Sequence, residues 1–275
     1  TAENLAKKYN KDIIFDTNKK SPVIKFTITK DGAQSTVGGK KLTPGNYEVW
    51  FENKDSIKFK LDLVNKYNLK GVASWKLGQE NSELWDYYSL WLNGKYFKDI
   101  IGHWAEDDII YSIKQGWMVG INDKIFSPNG YLTRAQAATV IVRAMELQDY
   151  KVSTKSPFID LKTDHWAYKN IQIAREKGFM KGVKNNTFAP DKVMTREEIA
   201  TLIYNILKKD ISNNKEYTKA YYNDVTSDRW SYEAIVSMTK VGILKGTDVN
   251  KFSPEGKLTR GEMSAIMHRL EKLRS

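Results

Sequence analysis

Residues 166–196 read WAYKNIQIAREKGFMKGVKNNTFAPDKVMTR, and the same landmarks stand at the same distances in residues 104–134 and 230–260. Twelve residues after Trp104, Trp166 and Trp230 stands a glycine (Gly116, Gly178, Gly242), and four residues further a second one (Gly120, Gly182, Gly246). A phenylalanine follows 22 residues past each tryptophan (Phe126, Phe188, Phe252) and a proline at 24 (Pro128, Pro190, Pro254). A Thr-Arg pair closes each unit, its arginine (Arg134, Arg196, Arg260) 30 residues past the tryptophan. An aromatic-x-Asp step opens each unit, at Phe97 and Asp99, Phe158 and Asp160, and Tyr222 and Asp224. The period is 62 and then 64 residues. A register kept by this many residue types in three copies is an internal repeat, in which each unit needs its neighbours to bury an apolar face.

Each unit reads as helix, tight loop, helix. After the tryptophan, Ala105, Ile109, Ile110 and Ile113 make one apolar stripe at helical spacing. The first glycine suits the left-handed position just past such a helix. Asn122-Asp123 and Asn185-Asn186 mark a turn before the phenylalanine. They lack the ligand spacing and terminal glutamate of a calcium loop. Thr133, Thr195 and Thr259 are each followed three residues later by Gln136, Glu198 and Glu262, which predicts a capping box at the start of each second helix.

The arginine falls at the first helical position, where the macrodipole is positive and a cation is disfavoured. Its recurrence there admits two readings: an anion held between guanidinium and free backbone N–H groups, or a structural arginine bonded to Asp99, Asp160 or Asp224. Each tryptophan is equally a core anchor or a sugar-stacking face. His103 and His165, beside two of the tryptophans, have no cluster of ligand partners and read as helix-start residues, so no metal site is expected. Lys181 and Lys245 precede the second glycine where the first repeat has Val119, and read as solvated lysines able to assist anion binding.

On these landmarks residues 97–273 resemble three S-layer homology domains, the family's Thr-Arg-Ala-Glu signature standing as Thr-Arg-Ala-Gln, Thr-Arg-Glu-Glu and Thr-Arg-Gly-Glu. The resemblance divides them into repeats at 97–150, 156–210 and 220–273. It implies an all-α, pseudo-threefold array of helix-loop-helix units in a monomeric chain, an intramolecular counterpart of a trimer. It also implies non-covalent anchoring to the Gram-positive wall at the cell surface, beside peptidoglycan, through secondary cell-wall polysaccharide bearing pyruvyl-ketal N-acetylmannosamine. Arg134, Arg196 and Arg260 would meet the pyruvate carboxylate, Trp104, Trp166 and Trp230 would wall the sugar site, and Gly120, Gly182 and Gly246 would shape it. No cofactor is implied. Glu197 and Gly261 depart from the signature's alanine and Gln136 from its glutamate, so the three grooves are not expected to be equivalent.

The first 96 residues follow another pattern. Val23 to Thr29 alternates like a strand and Asp31-Gly32 then signals a turn. A second strand is predicted at Tyr47–Phe51, an amphipathic helix at Ile57–Tyr67, a short buried strand at Lys70–Trp75 and a helix around Glu83–Trp91. The whole chain is thus expected to be α+β. The runs Glu48-Val49-Trp50-Phe51-Glu52-Asn53 and Gly71-Val72-Ala73-Ser74-Trp75-Lys76-Leu77-Gly78 are similar to the carboxy-terminal end of glycoside hydrolase family 18 domains, so that residues 1–92 would be the tail of a barrel. Trp75 would end its last strand as a vestigial sugar subsite, or be a buried aromatic. The family's Asp-x-x-Asp-x-Asp-x-Glu motif, which carries the proton donor, does not occur in the chain. The chain is therefore expected to be non-catalytic, with the alternative that it is the end of a wall-anchored glycosidase active only with its missing amino-terminal part.

Composition agrees with a partner of negative charge. Lys and Arg number 44 against 33 Asp and Glu, a formal +11 with pI near 9.4. The excess is spread along the chain, with 16 lysines against 11 acids in residues 1–96. No basic run or stripe supports nucleic-acid binding. With 41% hydrophobic and 28% charged residues among 275 and no cysteine, the chain reads as soluble, globular and held by packing rather than disulfides. It opens at Thr1 without Met or the basic and apolar regions of a signal peptide, as a processed chain or fragment would, and no apolar stretch is long enough to span a bilayer.

Overall fold

A computed structural model describes residues 1–32, 35–37, 39–67, 69–73, 83–92, 95–152, 155–184, 186–211 and 221–274. The chain divides into two compact units, Thr1–Asn93 and Gly94–Ser275. Among the described residues no helix is long and apolar enough to cross a membrane. Helices and sheet occur together, consistent with the α+β expectation.

In the first unit, helix α1 (Ala2–Lys8) precedes strands β1 (Ile14–Asp16), β2 (Ser21–Ile28), β3 (Thr36–Val37), β4 (Lys40–Lys41) and β5 (Gly45–Trp50), followed by helices α2 (Lys54–Tyr67) and α3 (Glu83–Leu92). The sheet runs β1-β2-β5 and is antiparallel, with Ile24 opposite Val49 and Phe26 opposite Tyr47. Strands β3 and β4 form a separate antiparallel pair. Strand β2 buries Ile24, Phe26 and Ile28 and exposes Lys25 and Thr27, as the period of two requires. Tyr9 from the end of α1 stacks on Phe26 at 4.4 Å, and Tyr47 from β5 does so at 5.6 Å. The pattern predicted β2, β5, α2 and α3. It did not announce α1 or β1, whose seven and three residues are too short to set a period. The strand expected from Lys70 is absent from residues 70–73, and Trp75 lies outside the described residues.

The second unit carries the repeats as three helix pairs: α4 (Glu106–Lys114) and α5 (Arg134–Ala144), α6 (Tyr168–Glu176) and α7 (Arg196–Ile211), α8 (Tyr232–Lys240) and α9 (Arg260–Arg274). Each first helix buries the expected stripe, Ala105, Ile109, Ile110 and Ile113 in α4 among them. It ends on a glycine at φ +72 to +78° (Gly116, Gly178, Gly242), a conformation that penalises any Cβ. The N–H of that glycine and of the residue after it close onto the last turn, as Gly116 to Ile113 and Trp117 to Ser112. Each second helix starts on its threonine in a capping box, the threonine Oγ accepting from the third residue's N–H at 3.2–3.3 Å and that residue's side chain accepting in return.

Packing runs between repeats. Helix α5 packs on α6, α7 on α8, and α9 returns to α4. The backbone repeats this order: Met194 N–H donates to the carbonyl of Leu132, Leu258 N–H to Met194, and Leu132 N–H to Leu258, each at 2.9 Å. The third repeat therefore closes on the first by the bonds that join the first to the second.

Candidate functional site

The three seams between repeats gather nearly every landmark of the sequence. At the seam between repeats one and two, Arg134 Nε donates to the Phe188 carbonyl at 2.8 Å and Nη2 to the Lys181 carbonyl at 2.7 Å. Arg196 makes the same pair of bonds to Phe252 and Lys245 in repeat three, and Arg260 to Phe126 and Val119 in repeat one. Each guanidinium also lies over the phenylalanine ring of the next repeat at 4.6–4.7 Å. Only 6% of each arginine is exposed. Burial pushes Arg134 below its ordinary value, against the pull of Glu198 and Asp160, and takes Arg260 to about 10 against the pull of Asp99.

Two parts of the expected chemistry are corrected here. The helix N-termini are not free: the N–H groups of Arg134 and Ala135 donate to the carbonyls of Lys192 and Pro190, and the other two seams do the same. Nor do the aspartates bond the arginines. Asp99 accepts from Phe126 and Ser127 N–H at 3.0 and 2.6 Å, Asp160 from Phe188 and Ala189, and Asp224 from Phe252 and Ser253. Each clamps the loop whose carbonyl the arginine uses. Ser127, Ala189 and Ser253 have φ of 55–62°, so the clamp holds a strained backbone.

The second glycine serves close approach. A Cβ at Gly120 would lie 2.4 Å from the ring of Phe97, at Gly182 2.6 Å from Phe158, and at Gly246 2.5 Å from Tyr222. Those opening aromatics in turn pack against Phe126, Phe188 and Phe252 at 5.4–5.9 Å.

The tryptophans are not core anchors. Trp104, Trp166 and Trp230 are 63, 61 and 63% exposed. The residues before Trp104 and Trp230 lie on the helix start of the preceding repeat in the ring, and α6, which follows Trp166, packs on α5. A Cβ at Gly261, next to Arg260, would stand 2.9 Å from His103, and Arg229 binds Glu197, next to Arg196. Arginine and tryptophan thus share a seam. His103 and His165 accept from the N–H of Ala105 and Ala167 at 3.1 Å, just ahead of α4 and α6, which is the helix-start position expected of them. Among the described residues no group of three or more His, Cys, Asp or Glu could hold a metal.

The seam between repeats two and three holds a network the sequence reading missed. Arg229 Nε donates to Glu197 Oε2 at 2.7 Å and Nη2 to Oε1 at 3.1 Å and to Glu255 at 3.0 Å, and Ser231 Oγ donates to Glu197 at 2.7 Å. Glu197 is therefore no loose negative charge. Arg229 stands in the slot that is histidine in the other repeats, and that exchange opposite a glutamate was the available signal.

Residues 96–138, 157–200 and 221–264 each match the S-layer homology domain, and the chain thus carries three S-layer homology domains. It is 30% identical over 193 residues, 69% of its length, to an amylopullulanase of Thermoanaerobacterium thermosulfurigenes, and 29% identical to cell surface glycoprotein 1 and a cellulosome-anchoring protein of Acetivibrio thermocellus, over 56% of its length in each case. The match spans only 10, 7 and 35% of those three proteins. S-layer homology domains place the chain at the cell surface, associated with the wall.

Proposed function

We propose that the three repeats anchor the protein non-covalently to the Gram-positive wall by binding secondary cell-wall polysaccharide in the seams, the pyruvyl-ketal carboxylate meeting Arg134, Arg196 or Arg260. The observation that carries this reading is the exposure of Trp104, Trp166 and Trp230 at 61–63% beside buried guanidinium groups. An apolar face open to solvent next to a desolvated cation fits a sugar ring bearing a carboxylate. Gly120, Gly182 and Gly246 shape the site by letting the opening aromatic reach the loop. The cyclic order of bonds supports a pseudo-threefold arrangement of the units, and the formal +11 favours an anionic wall polymer.

This reading makes the chain by itself an anchor and not an enzyme. Purified walls should retain it, and walls stripped chemically of the secondary polymer should not. Retention on stripped walls would overturn the reading.

A second reading concerns residues 1–92, as the end of a family 18 glycosidase. It is favoured by the two sequence runs around Trp50 and Trp75, while the names of relatives such as the amylopullulanase support a glycosidase parent without pointing to family 18. The chain should release no product from chitin oligosaccharides or peptidoglycan, and the gene sequence upstream of Thr1 decides whether a barrel precedes it.

A further inference from the structure

The three seams share a backbone plan but differ in whether their buried arginine has a counter-ion. Arg196 Nη1 donates to Glu262 Oε1 at 2.8 Å, so all three nitrogens of its guanidinium are occupied by the protein. The cation beside it, Arg229, is held by Glu197 and Glu255, which keeps its pKa well above the ordinary arginine value. Both guanidinium groups are thus answered from within the protein. The other two differ. Arg134 Nη1 meets only Met194 Sδ at 4.0 Å, and Arg260 Nη1 has no hydrogen-bond partner among the described residues. Among the described residues neither arginine has a carboxylate within ion-pair distance, and the Arg260 Nη1 is not sealed from solvent as the fully buried unpartnered atoms are. By position in the repeat, the counterpart of the glutamate that neutralises Arg196 is Glu198 at the Arg134 seam, turned to Lys192 Nζ at 2.7 Å, and uncharged Gln136 at the Arg260 seam, bonded to the Thr133 N–H.

We infer that only two of the three seams take an anionic sugar, those of Arg134 with Trp166 and of Arg260 with Trp104, and that the Arg196 seam is closed by its own glutamates. This rests on the wall-polysaccharide reading above and names which sites it uses. A buried cation without a counter-ion gains most from an external carboxylate, whereas at Arg196 that carboxylate must displace Glu262 and would face Glu197 and Glu255. His103 and His165, each beside the tryptophan of an open seam, supply an imidazole where the closed seam has the Arg229 ion pairs.

The test is calorimetry of the full chain with a disaccharide carrying pyruvyl-ketal N-acetylmannosamine. Two sites per chain are expected, and Arg134→Gln and Arg260→Gln should each weaken one of them by about tenfold or more. The decisive variant is the triple Glu197→Ala, Arg229→His, Glu262→Gln, which copies into the closed seam the residues found at Ala135, His165 and Gln136. Glutamine keeps the capping box, as Gln136 does in α5, and a melting curve verifies the fold. A third site should open. Three equivalent sites in the unmodified chain would overturn the inference and leave the wall-polysaccharide reading standing. Two sites in both proteins would also overturn it. Absence of binding in any protein, with the fold intact, would instead sink the reading on which it rests.

Discussion

A guanidinium at the first turn of a helix faces the positive end of the macrodipole, and burial adds a second penalty to its charge. At Arg134, Arg196 and Arg260 these costs are offset by two carbonyl acceptors from the next repeat and by the ring beneath. Each arginine is therefore a tie between repeats as well as a candidate ligand. Arg134→Lys should lower stability by about 2 kcal/mol or more, since one ammonium cannot reproduce both bonds. A melting curve unchanged from the parent protein would contradict the tie. The capping threonines are simpler, and Thr133→Ala should cost about 1 kcal/mol with a smaller effect on wall binding. Gly182→Ala places a methyl 2.6 Å from the Phe158 ring, an overpacking expected to cost about 1–3 kcal/mol in a thermal or denaturant melt. These landmarks were legible as a register, but their direction was not. Sequence spacing cannot say that an arginine reaches into the next repeat rather than its own, because the partner is a carbonyl, which every residue type carries.

At the scale of elements, the strongest local device is the carboxylate that receives two successive N–H groups of the Phe-x-Pro loop. Burial alone would raise the pKa of Asp224, but the Phe252 and Ser253 donors outweigh it and hold the group below its ordinary 3.8. A depressed folded pKa gives stability that is complete above the unfolded value and is lost as pH falls through the folded one. Stability should therefore decline on acidification below about pH 4, and Asp224→Ala, which orphans both donors, should cost about 1–3 kcal/mol at neutral pH and flatten that acid limb. Equilibrium unfolding at pH 7 and at pH 3 measures both, and an acid limb as steep in the variant as in the parent would assign the loss to other groups. The helices of the repeats were readable because stripe, glycine and capping box agree on their bounds. In the first unit, α1 and β1 were not, because elements so short take their structure from their partners, α1 from the sheet residues it packs on and β1 from its pairing with β2.

For the second unit as a whole, the order of contacts matters more than any single bond. Helix α5 rests on α6, α7 on α8 and α9 on α4, and each of the Leu132, Met194 and Leu258 peptides gives one hydrogen bond around the ring and takes another. Removing the third repeat from such a ring breaks two seams rather than one. It strips α7 of α8 and α4 of α9, and leaves the Arg196 guanidinium without the Phe252 and Lys245 carbonyls that satisfy it. It also frees Asp108 from His268, which are 2.6 Å apart across the closing seam, and uncovers Tyr111, on which the imidazole stacks at 4.0 Å. An open stack of repeats would behave otherwise, since stability there is a sum of nearest-neighbour terms and loss of an end repeat costs one interface. A chain ending at residue 211 should therefore lose cooperative unfolding in its repeats, rather than melt as a slightly weaker two-repeat protein. Circular dichroism melts of the full and shortened chains separate the cases. A sharp transition within a few degrees of the parent would mean that repeats one and two stand without closure. A broad, low-temperature transition with exposed apolar surface, read by dye binding, is the result the ring requires.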